Sequence, residues 1–283
     1  MKILPKMDRI TYATIPMKTR IVAALAVLWL LAMIGVPILR WTRGDAAVVD
    51  WLPITVLLQV GAVMMALSGS FGVRKMQIIL VLVPLIAWVA EFVGHNTGLP
   101  FGAYYYTDRL QPQLGGVPLL VPLAWLMMLP PAWAVAGLLL MRADGTLRGG
   151  RLGFAAVTAL VFTAWDLFLD PQMVAWDLWR WESPGAFNYF GIPWANYAGW
   201  LFVSFTMTLI ASLVIKIDGT TTYPFFILLI IYGITWALQT MGLMVFWGLP
   251  GPALVGGAVM GLCLAAAVRA YRRRRDGLGD QLR

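Results

Sequence analysis

Glu91 and Asp166 close two long apolar runs, 76–92 and 152–169. Ionisable groups inside hydrocarbon are costly and tend to be kept for function. Each is followed four residues later, on the same helix face, by a second polar group: His95 after Glu91 and Asp170 after Asp166. Asn96 continues the first cluster, and Asn196 lies at the start of a later apolar run. A carboxyl shielded from water is disfavoured as the anion, so it can hold a proton near neutral pH and deliver it as a general acid. A second carboxylate in a wetter setting stays ionised and can orient or deprotonate water. The connections beside them are dense in aromatics: Phe101, Tyr104, Tyr105 and Tyr106 in 94–116, and Trp176, Trp179 and Trp181 in 170–196, with Trp165 adjoining Asp166. Tyr and Trp faces attract a positive centre. Together these parts suit protonation of an isolated C=C bond in a very apolar molecule. The resulting cation would be captured by water or by an internal alkene, and no redox cofactor, nucleotide or metal is needed.

The two clusters repeat one another. Glu91 is followed 25 residues on by Gly116, then Pro118 and Trp125; Asp166 is followed 25 residues on by Gly191, then Pro193 and Trp200. At the same 75-residue offset Phe101 matches Trp176, Tyr104 matches Trp179 and Tyr106 matches Trp181. This reads as a duplicated helix hairpin, 76–141 and 152–217, whose outer loops fold back as a lid over one shared site. Both hairpins leave and re-enter on the same side, so the repeat is parallel, about an axis along the membrane normal.

Ordinary roles compete for several of these residues. Single aromatics near a membrane surface belong to the interfacial belt. Pro171 predicts that a helix ends at Asp170, which would make Asp170 a cap. Asp177 and Glu182 are placed to pair with Arg180. The one histidine, His95, reads as a hydrogen-bonding partner. The one cysteine, Cys263, excludes a disulfide within the chain and any Cys-based metal cluster, and no metal site is expected.

The positioning elements must be membrane helices. The 283-residue chain is 60% hydrophobic and 12% charged. Eight segments can cross ~30 Å of hydrocarbon, at about 21–39, 52–72, 76–93, 117–141, 152–169, 197–217, 224–247 and 250–270. The first is too long in its apolar stretch for a cleaved signal peptide. With both termini cytoplasmic (1–20 and the basic tail 271–283), 17 of the 21 Lys and Arg fall inside, leaving Arg40, Arg43, Arg109 and Arg180 outside. The net charge of +8 therefore reflects orientation and contact with the lipid bilayer, not nucleic acid. The expected fold is all-α: a multi-pass cell-membrane protein forming a single integral domain, 1–283.

The stretches EFVGHNTGLPFGAYYYTDRLQPQLGGVPLLVPLAW (91–125) and DLFLDPQMVAWDLWRWESPGAFNYFGIPWANYAGWL (166–201) resemble the signature blocks of the CruF-type carotenoid biosynthesis proteins. That family comprises polytopic membrane carotenoid 1′,2′-hydratases, bisanhydrobacterioruberin hydratases among them. The resemblance implies addition of water across the terminal C1=C2 bond of an acyclic ψ-end, as in lycopene, γ-carotene or a C50 carotenoid. It also implies other carotenoid-modifying enzymes as partners. On this reading Asp166 or Glu91 protonates C2 while the other handles the attacking water. His95, Asn96, Asp170 and Asn196 tune them, and Tyr104, Tyr106, Trp165, Trp176, Trp179 and Trp181 line the end-group pocket. A gap between the two hairpins is the expected lateral entry. A carotene cyclase, which begins with the same protonation, a small proton-coupled carrier and a non-catalytic scaffold are the alternatives.

Overall fold

The computed structural model describes residues 17–217 and 224–281, with side chains to Arg274. Most of the expected N-terminal segment and the side chains at the end of the basic tail lie outside them. Eight α-helices run through the described residues: α1 (Met17–Arg43), α2 (Asp45–Phe71), α3 (Val73–Thr97), α4 (Leu120–Leu140), α5 (Gly150–Ala175), α6 (Trp194–Ala211), α7 (Phe225–Met241) and α8 (Pro250–Gln281). A π-helical turn, Gly242–Phe246, extends α7. Seven of these segments are long and apolar enough to cross a membrane. The exception is α6, whose 18 residues begin with Trp194, Asn196 and Tyr197, which lowers its hydropathy where the site needs polar groups.

The apolar pattern sorts the helices by depth. α4 is apolar on all sides and nearly wholly buried, with α5 and α2 against it. Leu, Ile and Val on α1, α3 and α8 face outward, as lipid contact requires. On α3 the buried stripe is Ile79, Val83, Ala87, Glu91 and Gly94. Successive steps of four and three keep these residues on one face. Glu91 is therefore the polar end of an interior stripe, turned away from lipid.

Six short strands make up the two long connections. β1 (Tyr104–Tyr106) pairs antiparallel with β4 (Trp179–Trp181), β2 (Gln113–Leu114) with β3 (Val117–Pro118), and β5 (Asn188–Tyr189) with β6 (Ile192–Pro193). The β1–β4 pairing joins the connections to each other, and Tyr105 lies opposite Arg180. Each small hairpin turns through two residues of positive φ, Gly115 (61°) and Gly116 (78°) in one, Phe190 (49°) and Gly191 (86°) in the other. That is the geometry a two-residue hairpin loop needs.

One sequence expectation fails. α5 does not stop at Asp170 but continues through Pro171 to Ala175. Proline cannot donate to the carbonyl four residues back, here that of Leu167. The Tyr189 hydroxyl donates to that oxygen instead, at 3.1 Å. A partner from the neighbouring hairpin thus sustains the helix, and Asp170 is a helical residue facing inward.

Candidate active site

Glu91 is 5% exposed and accepts three hydrogen bonds. Tyr104 and Tyr106 donate their hydroxyls to Oε2 at 2.5 and 2.8 Å, and Trp125 donates its indole N–H to Oε1 at 3.0 Å. Burial, with the Glu91 charge beside them, holds both tyrosine hydroxyls well above the ordinary phenol range. They remain protonated and serve as donors. A carboxylate offers about four acceptor positions, so one position on Oε1 is left over.

The second carboxyl cluster is built differently. Asp166 and Asp170 are 0% and 2% exposed and share one amide. Asn196 Nδ2 donates to Asp166 Oδ2 at 3.1 Å and also to Asp170 Oδ2. The Trp179 indole donates to Asp170 Oδ1 at 3.1 Å, while Asp166 Oδ1 has no hydrogen-bond partner among the described residues. Three donor contacts thus serve four oxygens, whereas Glu91 alone takes three.

Both clusters adjoin a cavity of about 380 Å³. Its wall includes Glu91, Tyr104, Tyr106, Trp165, Asp170, Trp176, Trp179, Trp181 and Asn196. Three residues singled out in the sequence do not line it. Asp166 stands behind Asp170. His95 packs beneath the first hairpin, where a Cβ on Gly116 would fall 2.5 Å from its Nε2. Its ring centroid is 6.4 Å from that of Tyr106, and its Nδ1 is buried with no hydrogen-bond partner among the described residues. Asn96 is exposed and donates to the Phe92 carbonyl at 2.7 Å. Asp177 pairs with Arg180 at 2.5 Å, outside the cavity.

The cavity also takes residues that sequence reasoning passed over. Trp125 and Trp200 stack with centroids 4.4 Å apart and planes 20° apart, closing the space between the two hairpins. Their signal was available, since each ends one of the matched blocks. Gln172 lines the wall, and its buried Oε1 has no hydrogen-bond partner among the described residues. Thr55 and Gln59 of α2 and Thr235 of α7 also line it, marked in the sequence only as polar residues inside apolar helices.

Close packing holds the lid in place. Gly98 ends α3 in the left-handed conformation and donates to the Gly94 carbonyl at 2.7 Å. The chain then turns back so that Phe101 lies over Gly94 and Gly199. A Cβ on Gly199 would meet Phe101 Cδ1 at 2.7 Å and the Pro100 carbonyl oxygen at 2.9 Å. Gly199→Ala should therefore cost about 1–3 kcal/mol, read as a lower thermal midpoint of the detergent-solubilised protein.

No solved structure matches this chain. A bisanhydrobacterioruberin hydratase from Haloarcula japonica is 36% identical over 129 residues, which is 45% of this chain and 42% of that protein. The chain thus spans less than half the length of this curated relative. The family model described as "Carotenoid biosynthesis protein" matches residues 51–263, from the second helix into the last and across both carboxyl clusters. This multi-pass membrane protein belongs to the carotenoid biosynthesis protein family.

Proposed function

We propose that the protein is a carotenoid 1′,2′-hydratase acting on the ψ-end of an acyclic carotenoid. The observation that carries this reading is the asymmetry of the two carboxyl clusters across one aromatic cavity. Glu91, held by three neutral donors, is the carboxyl better stabilised as an anion. Asp166 and Asp170, crowded on one helix face around a single amide, are suited to keep a proton between them, because like charges so close disfavour double ionisation.

Asp170, as the cavity-facing member, gives its proton to C2 of the terminal alkene. A C2–H bond forms from the π electrons, and C1 becomes a tertiary cation beside the Trp and Tyr faces. A water held on the remaining acceptor position of Glu91 adds through oxygen to C1, and its proton passes to the Glu91 carboxylate. Proton return from Glu91 to the aspartate pair through solvent resets the site. The net change is one water added.

Hydration is favoured over cyclisation by Gln172 and Trp165. Both are lining residues with a buried polar atom that has no hydrogen-bond partner among the described residues, and such atoms are the usual anchors of internal water. The name of the partial relative points the same way.

The test is mass analysis of pigments from a lycopene-making host with and without this chain. A product heavier by one water supports the reading, and an isomer of unchanged mass makes the protein a cyclase. Tyr106→Phe removes one donor from Glu91 and should lower turnover roughly tenfold, about 1.4 kcal/mol, with little change in the amount of protein.

A further inference from the structure

The cavity does not end at the carboxylates. Its far wall is formed by Ile34, Ile38 and Trp41 of α1 and by Met241 at the end of α7. These residues line the cavity, yet they are 44%, 49%, 67% and 50% exposed. A side chain that borders an internal space and is also open to the outside marks a mouth. Ile34, Ile38 and Met241 belong to membrane-spanning segments, so this mouth opens sideways, into the bilayer.

Three observations agree with an opening here. α1 packs along α2 and only grazes α7. The two are tied at one end, where Arg40 donates to the Phe246 carbonyl, its guanidinium lies 4.6 Å from the Trp247 ring centroid, and Trp41 meets Phe246 edge-on at 5.1 Å. Phe246 closes the π-helical turn and Trp247 follows it, and such a distortion recurs at functional sites. By contrast, the expected entry between the two hairpins is closed by the Trp125–Trp200 stack and the β1–β4 pairing.

We infer that the cleft between α1 and the α7–π-helical segment is a lateral channel that binds the polyene of a long acyclic carotenoid, which enters end-first while the rest of the molecule stays in the bilayer. The inference rests on the hydratase reading for the identity of the occupant. A carotenoid is a rod roughly as long as the ~30 Å hydrocarbon core is thick, whereas the cavity holds about 380 Å³. One end group fits and the remainder must protrude, so a molecule with two reactive ends must leave and re-enter to be processed twice.

The experiment uses the full chain in lipid nanodiscs with lycopene and with a short acyclic terpene hydrocarbon bearing the same terminal alkene. Ile38→Trp and Met241→Trp fill the mouth; Leu160→Trp, at a 61% exposed position of α5 away from the cavity, is the control. Turnover of lycopene should fall about tenfold or more in the mouth variants, on the scale of a misplaced substrate. The short substrate and the control should change less than about twofold. Unchanged lycopene turnover, or an equal fall for both substrates, would overturn the channel. Pigment retained on purification provides a second reading. If the wild type hydrates neither substrate the hydratase proposal fails, and the channel stands only if the wild type retains lycopene and Ile38→Trp does not.

Discussion

Glu91→Gln should lower turnover by roughly 10²–10⁴-fold, the range for loss of a positioned acid–base group, while the protein still inserts. The fall has two parts. Glutamine is neutral, so it neither offsets the cation at C1 nor accepts the proton of the attacking water. It also carries an amide N–H₂ into a nest of donors: Tyr104, Tyr106 and Trp125 all point their hydrogens at this side chain. With its oxygen toward the two tyrosines, the amide sets its N–H₂ against the Trp125 indole, which can only donate; turned the other way, it makes both hydroxyls reverse from donor to acceptor. A lowered thermal midpoint should therefore accompany the loss of activity, whereas Tyr106→Phe leaves the remaining donors matched. Near-normal pigment conversion by Glu91→Gln would remove Glu91 from the mechanism.

Asp170→Asn should be as damaging, again by roughly 10²–10⁴-fold, because it removes the proton that starts the reaction. It should carry a structural cost as well. An asparagine that keeps its oxygen for the Trp179 indole turns its N–H₂ toward Asn196 Nδ2, itself the donor to Asp170 Oδ2, so the Asn196 amide must turn over. Asp166 does not line the cavity and meets Asn196, which also donates to Asp170; on the proposed mechanism Asp166→Asn should therefore retain more activity than Asp170→Asn. A reversed order, measured as hydrated pigment per unit of protein, would move the proton-donating role to Asp166.

Much of this arrangement can be read from residue order. The apolar runs mark the helices, and the two aromatic stretches that the 75-residue offset aligns lie together, Tyr104–Tyr106 pairing with Trp179–Trp181. What could not be read depended on contacts distant in sequence. Pro171 argues for a helix end, and only the Tyr189 hydroxyl on the Leu167 carbonyl lets α5 continue. Asp166 and Asp170 lie four residues apart, nearly in line on the helix, so their spacing cannot say which of them meets the cavity. His95 shares a helix face with Glu91, yet the hairpin glycine above it draws it under Gly116. The α1 and α7 walls come from apolar sequence with no motif; their role follows from where they pack.

The pairing of Tyr105 with Arg180 has a further consequence. Arg180 is the residue that the 75-residue offset assigns to Tyr105, and Trp125 stacks on its own counterpart, Trp200. Surfaces that meet their own equivalents about a two-fold axis are what an isologous dimer presents. Two identical hairpin subunits would have faced each other with identical carboxylates in identical surroundings, so neither could be fitted to one role by its neighbours. Joining them in one polypeptide releases each copy to vary by itself. The place held by His95 on one side is held by Asp170 on the other, and Val121 corresponds to Asn196. On the proposed mechanism, a fused pair of hairpins could assign opposite halves of one reaction to opposite halves of one chain.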